Sequence, residues 1–172
     1  QSIKEYLRYY APPNTFSNAL SPAQIATIRE CLRIVRSLEG EQRRHDLFAA
    51  ISALRSALTE HGIKVLGQPS PIVPVLLGRD DVARITSALI AERGVLTNLV
   101  EFPAVSVNSA RLRMQVMSQH SKTKCENAAR IIAQALPDAE GIVARLACEA
   151  IVRPVHATSP QFTTANHDAN TH

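Results

Sequence analysis

The chain has 172 residues, a formal net charge of +4 and 45% hydrophobic residues, a composition that excludes overall disorder. No apolar run approaches the roughly 20 residues that a membrane-spanning helix needs, and no signal-peptide pattern opens the chain. The first residue is Gln rather than Met, which predicts a chain processed or cut from a longer protein. The positive charge permits an anionic partner such as nucleic acid or a phosphate-bearing ligand, without requiring one.

The cysteines of the chain are widely spaced and form no C-x-x-C pattern, so no zinc site is expected at Cys31, Cys125 or Cys148. Reduced thiols in a cytoplasmic protein are the simplest interpretation. A nucleophilic role for Cys125 is not favoured, because no His–Asp partnership is readable beside it.

The first half of the chain reads as helical. Residues 3–10 predict a short helix that the following prolines end. Ser21-Pro22-Ala23-Gln24 predicts a helix start, with an N-cap serine, proline at the first helical position and glutamine at the capping-box position. Apolar residues then recur at helical spacing, namely Ile25, Ile28, Leu32 and Val35. A second periodic run covers residues 47–58, with Gly62 as the expected C-terminal cap.

The pattern changes near Pro71. Residues 71–77, 95–102 and 111–117 predict three strands, because short apolar or alternating runs are bounded there by turn residues. Pro74 lacks an N–H donor, which places the first strand at a sheet edge or beside a bulge. Asp80 is expected to cap a helix between the first two strands.

Two helices and a tail are expected to follow the strands. Residues 121–136 predict a helix that Pro137 breaks, and residues 139–151 predict a separate amphipathic helix. The composition from Pro154 onward predicts a mobile tail. The order of elements predicts an α+β fold, in which a small antiparallel or mixed sheet carries helices on one face.

The strand at 111–117 has two chemically different faces. Successive strand side chains alternate, so Leu112, Met114 and Val116 lie on one side and Arg111, Arg113 and Gln115 on the other. Guanidinium groups can hold a carboxylate by paired hydrogen bonds. Periodicity alone favours a solvated sheet face, on which charged residues are ordinary.

Three stretches together resemble the α-oxoamine synthases, which are pyridoxal-phosphate enzymes that join an amino acid to an acyl-CoA. The arginine strand lies between Phe102-Pro103-Ala104-Val105 and Ser118-Gln119-His120. Near the start, Phe16-Ser17-Asn18-Ala19-Leu20 is similar to a segment that follows the cofactor lysine, and Ser70-Pro71-Ile72-Val73-Pro74 is similar to the strand that opens the small domain. The matches run from about residue 3 to residue 136.

The resemblance implies roles for particular residues. Arg113 matches the arginine that binds the substrate α-carboxylate, and Arg111 matches a neighbour whose role is more structural. Ser17, with Asn18 beside it, matches a hydroxyl residue that reaches the cofactor phosphate of the other subunit. His120 resembles a histidine before the last helix, for which a structural role at the strand–helix junction is favoured.

The resemblance also implies an organisation, namely the C-terminal small domain of an aminotransferase-like fold. Residues 1–20 would cross to the partner subunit or the large domain, residues 21–136 would form the small domain with its long leading helices, and residues 137–172 would add a helix and the tail. Pyridoxal 5'-phosphate is the implied cofactor of the full-length enzyme. The implied partners are an amino acid, an acyl-CoA, the N-terminal large domain and a second subunit, with no membrane and no nucleic acid.

The chemistry-bearing residues of such an enzyme are expected upstream of residue 1. They are the Schiff-base lysine, the aspartate at the pyridine nitrogen and the ring-stacking histidine. No lysine of this chain stands in the family's lysine context, so the fragment alone is expected to hold no catalytic residue and no metal ligand, to bind the cofactor without a covalent bond and to have no turnover.

Several alternatives stay open. The Phe16-Ser17-Asn18 run and Gln115 lean slightly towards glycine C-acetyltransferase-like members, while 8-amino-7-oxononanoate, 5-aminolevulinate and serine palmitoyl transfer remain candidates. The loop at 105–109 departs from the family's Pro- and Gly-containing loop, which leaves substrate choice open. A second class is a non-catalytic interaction or regulatory domain that retains the fold. A nucleic-acid-binding module is less favoured, because aromatic residues are only 4% and no recognition signature is present.

Overall fold

The structure is a computed structural model that describes residues 1–152. Its elements in chain order are α1 (Ser2–Tyr10), α2 (Pro12–Thr15), α3 (Pro22–Val35), α4 (Leu38–Glu60), β1 (Ile72–Gly78), α5 (Asp80–Glu92), β2 (Asn98–Val100), β3 (Ala110–Gln115) and α6 (Lys122–Val152). None of the helices in this range is long and apolar enough to cross a membrane. The tail expected from Pro154 onward lies outside the described residues.

The sheet has three antiparallel strands in the order β1-β3-β2, which confirms the predicted α+β fold. Leu112 lies at its centre, opposite Val75 of β1 and Leu99 of β2. β1 is an edge strand with a register irregularity near Gly78, which is the position that Pro74 predicts. β3, the arginine strand, is therefore the central strand of the sheet, between β1 and β2.

β2 is shorter than the predicted 95–102 strand. The Val95 amide donates to Ile90 O at 2.9 Å and completes the end of α5, while Ala104 N donates to Glu101 O at 3.0 Å in a turn. The first residues of the predicted 95–102 strand thus belong to the end of α5, and its last residues belong to a turn. Only three residues remain to pair with β3.

The core lies between the sheet and helices on one of its faces. Val73, Val75, Leu112 and Met114 point from the sheet into this core, against residues of α4 and α6 such as Ile51, Leu58 and Ile132. Fully burying an aliphatic side chain of this kind contributes about 1.5–3 kcal/mol. The opposite face of β3 carries the arginines.

The break predicted at Pro137 is wrong, because α6 is continuous from Lys122 to Val152 with Pro137 inside it. Both halves of α6 pack on α5, through a buried cluster of Val82, Ala139 and Val143 with Leu136 packed against it. The Arg93 side chain of the α5 C-cap also pairs with Asp138 at 2.6 Å. Packing on a shared neighbour outweighs the hydrogen bond that proline removes, a cost of about 3 kcal/mol.

The predicted cap at Asp80 is also wrong. Arg79 is the N-cap of α5 and makes no side-chain cap hydrogen bond, while Asp80 is already helical. Gly78 has φ +89, so the chain turns one residue earlier than the sequence suggests. A side-chain acceptor for the first turn of α5 comes from Asp81 instead, because its Oδ1 accepts a hydrogen bond from Val82 N at 2.7 Å. By contrast, the capping box at Ser21 and the left-handed Gly62 after α4 are as predicted.

The first three helices contribute nothing to the core. No residue described in α1 or α3 is buried, and the apolar stripe of α3 is 44–55% exposed at Ile25, Ile28, Leu32 and Val35. The helical spacing of these residues predicted helix α3 correctly, but the apolar face that it marks is not part of the core. The residues at 1–36 present an apolar surface that nothing in the described part of the chain covers.

Candidate functional site

Arg111 and Arg113 lie on the same face of β3, as the alternation predicts, but their surroundings differ. The Arg111 side chain is half-buried, and its Nε donates to Ser109 O at 3.2 Å. Arg113 is exposed between Pro74 of β1 and Asn98 of β2, and its guanidinium has no hydrogen-bond or ion-pair partner among residues 1–152. The Arg111 guanidinium is therefore engaged by the backbone just before β3, whereas the Arg113 guanidinium is available for a ligand.

A groove of about 650 Å³, here called the edge groove, opens beside Arg113. β2 begins at Asn98, opposite Arg113, so on this side Met114 and Gln115 of β3 have no paired strand neighbour. The start of α6 and the 93–98 segment form the walls of the edge groove. The lining residues are Leu54, Arg93, Gly94, Val95, Leu96, Thr97, Asn98, Arg113, Met114, Gln115, Val116, Met117, His120, Lys124, Cys125, Asn127, Ala128 and Ile131.

His120 closes the turn between β3 and α6. Its backbone N–H donates to Met117 O at 3.0 Å, and its Nδ1 accepts from Met117 N at 3.3 Å. This is the geometry expected of a residue that fixes a strand–helix junction. It leaves Nε2 as the ring nitrogen that can serve a ligand in the edge groove.

Cys125 lies at the floor of the edge groove and is 4% exposed. Burial, with a smaller contribution from the neighbouring Glu126 carboxylate, raises the pKa of the Cys125 thiol. A nucleophilic cysteine needs the opposite shift, because the thiolate is the reactive form. Cys125 is a packing residue in this structure.

The loop at 101–109 keeps a tight turn without the glycine of the family pattern. Asn108 has φ +58, in the left-handed region that asparagine tolerates better than other non-glycine residues. Ser109 N donates to Ser106 O at 3.0 Å within the same turn. At the other end, Glu101 pairs with Arg84 of α5 at 2.8 Å. The loop is therefore anchored at both ends next to the arginine strand.

Ser17 and Asn18 lie in the exposed loop between α2 and α3, and neither lines the edge groove. The structure places them apart from that groove, so it does not bring the two expected ligand-binding segments together in one cavity. Within residues 1–152 no three His, Cys, Asp or Glu side chains are grouped so that they could hold a metal ion.

The sequence interpretation missed most of the edge groove. Lys124 and Asn127 stand three residues apart on one face of α6, a spacing that does make side chains neighbours on a helix. That spacing was a usable signal. The sequence offered no comparable signal for Leu96 and Thr97, because they belong to the 95–102 run that was predicted to be a strand.

Comparison with known proteins defines the family. The model of the aminotransferase class I and II family matches residues 1–132, and the chain belongs to that family. Among curated relatives, 8-amino-7-oxononanoate synthase of Citrifermentans bemidjiense is 32% identical over 133 residues, which is 77% of this chain and 34% of the relative. The enzyme of the same name from Stutzerimonas stutzeri is 31% identical over 134 residues, 78% of this chain and 34% of its own length.

Solved structures show the same fold. Sphingomonas wittichii serine palmitoyltransferase has a TM-score of 0.70 at 24% identity, covering 80% of this chain and 34% of its own. Francisella tularensis 8-amino-7-oxononanoate synthase has a TM-score of 0.67 at 19% identity, covering 80% and 39%. The resemblance to α-oxoamine synthases is thereby confirmed. The chain spans about a third of the length of these curated relatives.

Proposed function

We propose that this chain is the C-terminal part of a pyridoxal-phosphate-dependent α-oxoamine synthase, which condenses an amino acid with an acyl-CoA. The observation that carries the proposal is the unpartnered Arg113 beside a locally bonded Arg111, on a strand that the family comparison includes. The relatives named above are synthases of this type, which supports the reaction class. They do not fix the amino acid or the acyl group for this chain.

Arg113 is assigned to the substrate carboxylate. Its planar guanidinium offers paired N–H donors that match the two carboxylate oxygens, so it fixes the orientation of the amino acid as well as its position. Arg111 supports the strand from the same face, because its hydrogen bond to Ser109 O ties it to the preceding loop.

The residues of this chain fit one part of a pyridoxal-phosphate site. The exposed Ser17 hydroxyl and Asn18 amide are suitable donors for a phosphate, and we assign them to the cofactor phosphate held by a second subunit of a homodimer. When bound, the cofactor supplies an electron sink for the carbanion at the substrate α-carbon. No Asp or Glu lines the edge groove, so that groove lacks the acid that a pyridine nitrogen requires.

The chain alone is proposed to be inactive. Lys4, Lys64, Lys122 and Lys124 are all exposed, and none stands in the family's lysine context. The Schiff-base lysine is assigned to a large domain encoded upstream of residue 1. Catalysis then requires this chain to be joined to that domain.

The proposed function is tested by expressing the protein from a gene that includes the upstream in-frame sequence. With pyridoxal phosphate and a panel of small amino acids and acyl-CoA thioesters, we expect release of free coenzyme A that depends on both substrates. An upstream sequence without a family lysine, or no release with any pair, would contradict the enzyme and favour the non-catalytic interaction domain that retains the fold.

A further inference from the structure

The strand that lies beside Arg113 is short and makes few contacts with the core. β2 has three residues, and it pairs with β3 so that Asn98 lies opposite Arg113. Asn98 is exposed, while Leu99 is half-buried and packs against the core. Strands usually have about five or six residues, so β2 forms a short ladder. The position of β2 at this edge of the sheet therefore depends on contacts outside the ladder.

Helix α5 holds the β2 segment, here residues 95–101, at both of its ends. At the first end, the Val95 amide donates to Ile90 O at 2.9 Å. At the last end, Arg84 of α5 donates two hydrogen bonds to the Glu101 carboxylate, from Nε to Oε2 at 2.8 Å and from Nη2 to Oε1 at 3.2 Å. Two parallel bonds of this kind fix the orientation of the carboxylate as well as its distance. The backbone makes the first connection, so the second is the one that side chains determine.

The ion pair of Arg84 and Glu101 differs from most ion pairs in residues 1–152. Most of those join side chains at most four positions apart, within one helix or beside its start. Pairs at helical spacing stabilise the helix that contains them. Arg84 and Glu101 are 17 residues apart and connect a helix to the end of a strand. The Glu101 side chain is only 30% exposed, and partly buried pairs are screened less by salt. This ion pair can therefore set the position of one element relative to another.

We propose that Arg84 and Glu101 are positioning residues for Arg113, and that they act by holding β2 beside it. Neither of the two side chains lines the edge groove, so they do not contact a ligand there. Loss of their ion pair would let β2 separate from β3 more often. Asn98 would then no longer lie in a fixed position next to the Arg113 guanidinium. The carboxylate role of Arg113 rests on the proposed function, whereas the connection between α5 and β2 does not.

Hydrogen exchange of the intact chain tests the connection without any ligand. Arg84→Ala and Glu101→Gln are each expected to speed exchange at the most protected amide of residues 98–100 by about three- to fivefold, the size of one ion-pair contact. The double variant should exchange no faster than either single variant, because both remove the same contact. Arg79→Ala is the matched control, since Arg79 at the start of α5 pairs only two positions away. Exchange in Arg84→Ala that is no faster than in Arg79→Ala would overturn the proposal.

The NMR resonance of the Arg113 Cζ atom, assigned with Arg113→Lys, measures whether the connection reaches that arginine. We expect it to shift in Arg84→Ala and in Glu101→Gln and to keep its position in Arg79→Ala. Arg84→Lys retains the charge but not the planar fork, so it should give an intermediate shift and an intermediate exchange rate. If exchange of β2 rises in Arg84→Ala while the Arg113 resonance stays in place, the ion pair only stabilises the fold, and the positioning role is wrong.

Kinetics of the complete enzyme, with its upstream domain, test the consequence for the amino acid. Arg84→Ala is expected to raise the KM for the amino acid about three- to fivefold and to leave kcat within about twofold, because the ion pair does not touch the reacting atoms. A fall in kcat at unchanged KM would overturn the positioning role. If the complete protein has no synthase turnover, while the chain shows faster exchange of β2 and a shifted Arg113 resonance, the proposed function fails and the positioning of Arg113 stands.

Discussion

Arg111 and Arg113 share one strand face but differ in what they are free to do. The Arg111 Nε is bonded to Ser109 O, while the Arg113 guanidinium is exposed and unpartnered within the described part of the chain. A guanidinium group with neither an ion pair nor a hydrogen bond to the backbone, such as that of Arg113, is the better candidate for recognising an external carboxylate. The difference gives each arginine a separate experimental signature.

Arg113→Ala in the complete enzyme is expected to lower kcat/KM for the amino acid. The expected decrease corresponds to a loss of about 2–4 kcal/mol of transition-state stabilisation. The loss comes from the paired hydrogen bonds and from the unpaired carboxylate that remains. Arg113→Lys should also be poor, because an ammonium group cannot reproduce the planar fork. Steady-state kinetics with varied amino acid measures the effect.

Arg111→Ala is the matched control for that measurement, since it removes the same charge from the same strand face. Its effect on kcat/KM should be smaller. If Arg113→Ala leaves the efficiency unchanged while the protein stays folded, the carboxylate assignment is wrong.

Cys125 is expected to be the slowest of the three thiols to react with an alkylating agent near pH 8. Cys31 and Cys148 are exposed, whereas Cys125 is buried and its pKa is raised by that burial. Mass spectrometry of peptides after timed alkylation measures the three rates, and the unfolded chain should show all three reacting alike. Fast labelling of Cys125 in the folded protein would contradict its assignment as a packing residue.

The raised pKa of Cys125 also has a consequence for stability. The folded state holds the thiol proton more tightly than the unfolded state, so the stabilisation is complete below the ordinary value of 9.0. It should decline as the pH rises through that value towards the folded pKa. Cys125→Ala should flatten this alkaline decline.

At the level of elements, α6 shows how packing overrides a local breaker. Pro137 lies inside a 31-residue helix whose two halves both contact α5. The pattern rule that proline ends a helix describes an isolated segment, in which the lost hydrogen bond is not offset. Here the buried Ala139 and Val143 lie beyond the proline and would be exposed if the helix ended there.

Pro137→Ala is expected to raise the free energy of unfolding by about 1–3 kcal/mol, because alanine restores the missing N–H donor. Gly141→Ala is the comparison variant, since the added Cβ would meet nothing within 4 Å and helix propensity alone predicts a gain of about 1 kcal/mol. Urea denaturation measures both. Destabilisation by Pro137→Ala alone would show that the contact between α5 and α6 requires the proline geometry.

At the level of the whole molecule, the described chain has a packed part and an uncovered part. Residues from α4 to α6 supply the core, whereas α1 and α3 bury nothing and expose an apolar stripe. In the proposed enzyme this stripe would pack on the large domain or the second subunit. The boundaries expected at residues 20 and 136 stay predictions.

The 172-residue chain by itself is expected to form no covalent adduct with pyridoxal phosphate, because none of its lysines stands in the sequence context of the family's cofactor lysine. Absorbance spectroscopy with borohydride reduction and peptide mapping measures this. A visible-edge band that disappears on reduction and maps to a lysine of this chain would contradict the assignment of the Schiff base to an upstream domain.

The sequence by itself determined the features that depend on local chemistry. The capping box at Ser21, the turn at Gly62, the edge position of Pro74 and the two faces of β3 each follow from a side chain and its near neighbours along the chain. The three stretches that resemble the α-oxoamine synthases, at residues 16–20, 70–74 and 102–120, also indicated the family. The tertiary structure decided the rest. It alone showed the continuity of α6 across Pro137, the exposed position of Arg113 between Pro74 of β1 and Asn98 of β2, and the edge groove along the part of β3 with which β2 does not pair. These features arise from contacts between segments far apart in the chain, and local pattern carries no information about such contacts.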